Sequence, residues 1–341
     1  MRLSKYIICS LLLLSLLVAC VPLEQAAMTA TDSSGETASS DGTSDGSFPT
    51  NIDHKYGSTT IESKPDRIVT VGLTDHDALL ALGIVPVGTT EWFGGYEGSI
   101  WPWAQDELEA LDGEVPEPVG GDGINFEAIA ALQPDLILAL FSGVTEDEYE
   151  LLSQIAPTVA QPGEHTDWGI PWQELTLTVG KAIGQEAEAG ALVADVDARF
   201  AQVREEHPQF QEAVSIVATP YQGLWLYGPE DIRGRLLTDL GFSLPEGIEE
   251  VVGDSFGANL SQEKADMLEI DVVIWFANPE EAVEAGGPVY ETLAVHTENR
   301  EVFLPEDNPI YGATSFVTVL SLPYLLEGLV PQLDEALEKR Q

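Results

Sequence analysis

Short apolar runs alternate with longer amphipathic stretches along most of the chain. Residues 67–71 (RIVTV) predict a strand, residues 75–82 a helix closed by Gly83, and residues 85–89 (VPVGT) a second strand. A helix over 125–132 leads into a strand at 135–139 (DLILA), and 157–160 (PTVA) suggests another. The second half repeats the style. It has a strand at 214–218 (VSIVA), a helix through Arg233 to Leu240 closed by Gly241, a helix from Ser261, and a strand at 271–275 (DVVIW). Strands this short and apolar belong in parallel sheets with both faces covered by helices. Residues 186–206 hold one glycine, Gly190, and no proline. At 1.5 Å per residue they predict a helix about 30 Å long, enough to run from one lobe to another. As the only connection it would limit hinge closure, because hinges usually sit in loops.

The two halves correspond residue by residue at one place. Asn125 and Ser261 are helix-capping residues, Glu127 and Glu263 follow two positions later, and Asp135 and Asp271 open the next strand. The pattern suits two lobes built on one plan. The fold class is therefore α/β, with two similar Rossmann-like lobes of parallel sheet joined by a single long helix. The expected divisions are 52–184, 185–208 and 209–341.

The chain start has a different character. Arg2 and Lys5 precede an apolar run over residues 6–18, too short for a membrane span of about 20 residues but suited to an export signal. The run ends in Leu17, Val18, Ala19 and Cys20, which resembles the lipobox of bacterial lipoproteins. Residues 1–19 are read as a signal peptide and Cys20 as the lipidation site. The only other cysteine, Cys9, lies within that signal, which leaves the mature chain without a disulfide or a thiolate metal site. Residues 20–51, rich in Ser, Thr, Gly and Asp, read as the lipidated cysteine and a flexible tether.

Charge narrows the partners. Losing residues 1–19 removes two of the 14 basic residues and no acid, leaving 12 against 58 acidic residues, or −46. Nucleic acid is excluded, since phosphate binding needs a basic footprint.

Candidate chemistry is concentrated at strand ends, where open parallel sheets place ligands. Trp92, Trp101 and Trp103 follow the second strand, Phe141 the third, and Trp168 and Trp172 the fourth; Trp225 and Trp275 stand in the second half. As a set they suggest a cleft for a large, partly apolar ligand, and singly each suits ordinary packing equally well. Gly253 to Gly257 matches G-x-S-x-G around Ser255, with Asp271 and His296 in triad order, but lacks the strand-turn-helix setting of a nucleophile elbow. The five histidines show no paired spacing for a metal. His76, between Asp75 and Asp77, is the one to watch, although a capping Asp beside a solvated His explains the trio as well.

The stretch 125–138 (NFEAIAALQPDLIL) is close to the N-x-E-x-I-x-x-L-x-P-D-L-I pattern of substrate-binding proteins of bacterial ABC importers for iron–siderophore complexes, a family that includes the vitamin B12 binder. Residues 64–69 (KPDRIV), 81–88 (ALGIVPVG), 152–159 (LSQIAPTV) and 320–324 (LSLPY) support the resemblance, and 101–105 (WPWAQ) resembles its actinobacterial-type branch. It covers about residues 54–335 and implies a class III solute-binding fold in a non-enzymatic, monomeric lipoprotein. Such a protein would carry a ferric siderophore to a permease dimer and its ATPase. It implies that Glu127 and Glu263 dock on the permease, although each Glu also suits the N-terminus of its helix. It implies a chelate held by Arg233, with Tyr227, Trp92, Trp101, Trp225 and Trp275 as walls. The siderophore would ligate the iron, so no cofactor or protein metal site is expected. With Arg233 and Arg235 as the chief cations of the cleft, hydroxamate or mixed hydroxamate–carboxylate chelates are favoured over catecholates. Haem or a cobamide on the same fold, or a surface hydrolase using Ser255, are the alternatives.

Overall fold

The computed structural model describes residues 46–121, 123–253 and 255–340. The signal, Cys20 and residues 20–45 of the expected tether lie outside the described residues. The body begins earlier than residue 52. The Gly46 amide donates to the Gly184 carbonyl at 2.8 Å, and β1 (Thr50–His54) pairs antiparallel with β2 (Gly57–Ile61), Thr50 opposite Ile61. Among the described residues no helix is long and apolar enough to cross a membrane.

The first lobe is built on β3 (Ile68–Thr70), β4 (Gly88–Thr90), β5 (Glu117–Gly120), β6 (Leu136–Ala139) and β7 (Thr158–Ala160). All five are parallel, in the order β5-β4-β3-β6-β7. The second contains β8 (Ser215–Thr219), β9 (Leu224–Tyr227), β10 (Gly257–Leu260), β11 (Val272–Trp275) and β12 (Glu301–Phe303), in the order β10-β9-β8-β11-β12. Here β8, β11 and β12 are parallel, and β9 and β10 extend one edge by antiparallel pairing. β6 and β11 are buried at every residue, the condition under which an unbroken apolar run is stable.

The internal repeat has a physical basis. Asn125 caps the helix Phe126–Leu132 by accepting from the Ala128 amide at 3.0 Å. Ser261 caps the 3-10 helix Gln262–Leu268 more weakly, through the Glu263 amide at 3.4 Å. Asp135 then accepts from the Asp66 and Arg67 amides at 2.9 and 2.8 Å, tying the start of β6 to that of β3. Asp271 accepts from the Val214 amide at 2.8 Å and does the same for β11 and β8.

The helix Glu186–Glu206 lies between the lobes in sequence and buries Ala189, Val196 and Phe200. It packs tightly on the helix Trp172–Ile183, where a Cβ on Gly180 would come within 2.3 Å of the Ala189 Cβ. It is not the only tie. The helix Pro309–Phe316, which follows β12, inserts Phe316 among His76, Trp92, Phe93, Trp101 and Trp103 of the first lobe, at ring distances of 5.2–6.0 Å. The C-terminal helix Ser321–Glu338 packs on β11, β12, the long helix and the turn Pro102–Ala104. One apolar core therefore runs through both lobes.

Candidate functional site: a cleft between the lobes

A cavity of about 220 Å³ opens between the lobes. The first lobe supplies Leu73 after β3, Trp92 after β4, Phe141 after β6 and residues 166–169 after β7. The second supplies residues 230–233 and Phe256. An adjoining cavity of about 160 Å³ shares Leu73 and Trp168 and continues toward Thr90, Gly121 and Gly143. Together they reach the usual small-molecule range of about 300–1,000 Å³.

Asp231 begins the helix Ile232–Leu240, and its Oδ1 accepts from the Arg233 amide at 2.8 Å. The Arg233 side chain folds back, so that Nη1 donates to both Asp231 oxygens at 3.0 and 2.9 Å. Its guanidinium carbon lies 4.1 Å from the centroid of the Tyr227 ring. Burial opposes the Arg233 charge, but Asp231 and Tyr227 outweigh it and hold the guanidinium's pKa above the ordinary value. Buried Arg233 Nε has no partner among the described residues. The pair with Asp231 uses Nη1 alone, so Arg233 is a charge-neutralised group at the cavity wall with Nη2 left over as a donor.

Of the residues expected to hold a ligand, Arg233 and Trp92 line the cavity, and Tyr227 supports Arg233 from behind. Trp225 packs at a tilt against the wall residue Phe256, at 5.7 Å between centroids, and does not itself line the cavity. Trp101 and Trp275 are not walls. Trp101 is 1% exposed and stacked on Trp103 at 5.0 Å. Trp275 is 0% exposed, and its Nε1 donates to the Tyr290 hydroxyl at 2.7 Å. Trp101 is drawn into the core by the close approach of Gly312, where a Cβ would meet its ring at 2.2 Å. Trp275 is interior because β11 is covered on both faces.

Trp168 also lines the cavity, although it was not among the expected walls. It is 46% exposed, has φ of +57°, and lies over Gly143, where a Cβ would meet its ring at 2.5 Å. Gly143 was the available signal, since a ring lying on backbone requires glycine beneath it. Asp231 was also missed, because a capping aspartate two residues before an arginine reads as a cap alone.

Glu127 and Glu263 are both exposed in the first turns of their helices. Ser255, Asp271 and His296 do not form a triad. Asp271 pairs with Arg340 and the Val214 amide, and His296 pairs with Glu301, which also accepts from Tyr290. Nor is the Asp75, His76, Asp77 trio solvated, for all three are 0% exposed. Asp75 accepts from the Leu140 and Phe141 amides at 2.8 and 2.9 Å and so holds the backbone of a cavity residue. His76 meets the Ser99 carbonyl at 3.1 Å, and burial lowers its pKa. Asp77 accepts from Trp103 Nε1 at 2.8 Å and from Thr318 Oγ1 at 2.5 Å.

The cleft geometry agrees with comparison to known proteins. The profile of a family described as "Periplasmic binding protein" matches residues 68–291. The chain is 30% identical to the probable siderophore-binding lipoprotein YfiY of Bacillus subtilis, over 66% of this chain and 68% of that one. It is 28% identical to the ferric enterobactin-binding periplasmic protein FepB of Escherichia coli, over 75% and 86%. The crystal structure of Streptococcus pneumoniae PiaA in complex with ferrichrome superposes with a TM-score of 0.76 at 30% identity, covering 85% of this chain and 99% of that one. With a family match over most of its length and two lobes facing a common cleft, the chain belongs to the periplasmic binding protein family.

Proposed function

We propose that this protein is an extracytoplasmic lipoprotein that captures a ferric siderophore between its lobes and delivers it to an ABC importer permease. The observation that carries this reading is the cavity itself. Trp92, Phe141, Trp168 and Phe256 form apolar walls contributed by both lobes, and Arg233 is a cationic hydrogen-bond donor among them. Such a site suits a bulky chelate with an apolar rim and an oxygen-rich centre. The likeness to siderophore binders supports the cargo. In this reading the siderophore ligates the iron, and the protein contributes no ligand.

Cys20 carries the lipid, which keeps a monomeric binder on the outer face of the cell membrane, near the permease dimer and its ATPase. Tethering to the permease's own surface raises effective concentration without any added contact. Glu127 and Glu263 form one docking point per lobe. Tryptophan quenching should show micromolar or tighter binding of a ferric siderophore. Joint replacement Glu127→Ala and Glu263→Ala should abolish uptake and leave that affinity intact. Binding of haem or cobalamin alone would overturn the cargo, and lost affinity in the double variant would overturn the docking role.

A further inference from the structure

The cavity has an unusual charge balance for a site that would hold an anion. Among the described residues its lining carries three carboxylates, Asp167, Glu230 and Asp231, and one cation, Arg233. That cation is already paired with Asp231 through two hydrogen bonds. Asp167 is engaged by Lys55 at 2.8 Å and by Gln161 at 2.9 Å. Glu230 is exposed at the rim. Among the described residues the adjoining cavity adds Glu148 and no cation. Arg235, the other arginine nearby, gives its N–H groups to the Glu230 and Gly169 carbonyls and points away from the site.

Resting on the siderophore reading above, we infer that the cleft selects ferric chelates of zero or positive net charge, the tris-hydroxamate class, and that Asp231 is the specificity-determining residue. Three hydroxamates carry one negative charge each and cancel the ferric ion. Three catecholates carry two each and leave a trianion. A neutral chelate still offers carbonyl and hydroxamate oxygens to the spare N–H groups of Arg233, so it gains the hydrogen bonds without meeting repulsion. Among the described residues a trianion finds no free cation to pair with and meets Glu230 and Glu148, the lining carboxylates without a cationic partner, so like charges discriminate against it. Asp231 produces this by holding the one guanidinium in an internal pair. The pairing leaves Arg233 its direction and spare donors and cancels its attraction for anions.

The test compares three probes by tryptophan quenching at low salt: ferrichrome (neutral), ferrioxamine B (cationic) and ferric enterobactin (trianionic). The wild-type protein should bind the better of the first two at least about tenfold more tightly than the third. Asp231→Asn keeps the size and the helix cap and frees the Arg233 charge. It should narrow that ratio by about tenfold or more, mainly by tightening enterobactin binding. Should the variant fail to fold, the salt series on the wild type decides. Enterobactin affinity should rise between roughly 20 and 500 mM NaCl as repulsion is screened, with the neutral probe unchanged. A wild type that prefers the trianion, or an unchanged ratio in folded Asp231→Asn, overturns the charge selection and leaves the siderophore reading standing. Binding of none of the three overturns both.

Discussion

Single residues here do two separable jobs, shaping the cavity and holding the body together. Trp168 and Trp101 are the cleanest contrast. Trp168→Ala removes an exposed wall and should weaken chelate binding about tenfold with little change in stability. Trp101→Ala empties a core position and should lower unfolding free energy by about 3–5 kcal/mol while the chelate affinity of the folded fraction persists. Urea titration beside ligand quenching separates the two, and the reverse assignment would show that the walls are misplaced. Asp75 illustrates a charge buried for position. Burial lifts its pKa to about 6 from 3.8, with the two backbone N–H groups pulling the other way. Between those values the folded protein keeps a proton that the unfolded chain releases. This group's stabilising contribution is therefore full below pH 3.8 and lost as pH rises through about 6. The melting temperature of the wild type minus that of Asp75→Asn should fall as pH is raised across this window. A flat difference would contradict the buried, proton-linked role.

At the scale of elements, the joint between lobes is broader than one helix. Residues 186–206 were legible as that helix because apolar and charged residues run through them without a breaker. The contribution of Pro309–Phe316 was not, since a short apolar segment such as PIYGATSF reads equally well as a strand or a buried helix. Long-range partners were also hidden. Thr318 and Asp77 are 241 positions apart, and only folding brings the hydroxyl to the carboxylate. The central strands of both lobes were readable from their uninterrupted apolar runs. The antiparallel β9 and β10 were not, because LWLY is only four residues long between Gly223 and Gly228, and GANL carries little strand pattern. Cavity residues divided the same way. Arg233 and Trp92 stood out by type and place, whereas Trp101 and Trp275 shared the type and were buried by packing that no spacing encodes. The Thr318–Asp77 bond gives this joint a direct test. Thr318→Val keeps the shape and leaves a buried carboxylate short of one donor, so the urea midpoint should drop by the equivalent of about 1–3 kcal/mol. No loss would mean that the bond contributes nothing to holding the C-terminal helices on the first lobe.

At the scale of the molecule, two lobes on one plan share a core and still leave a cavity between them. The long helix, the inserted Phe316 and the C-terminal helix all cross the divide, so the lobes are braced against large hinge motion. A binder of this kind presents a largely preformed site, and the ligand changes local protection more than overall shape. The role of both lobes turns on where the chelate sits. Hydrogen exchange of the protein, measured with and without a bound ferric tris-hydroxamate, reads that location from both lobes at once. Protection should appear together around residues 141–143 and 166–169 of the first lobe and 230–233 of the second. Protection confined to one lobe, or lying away from these segments while the chelate is bound, would contradict a ligand site between the lobes.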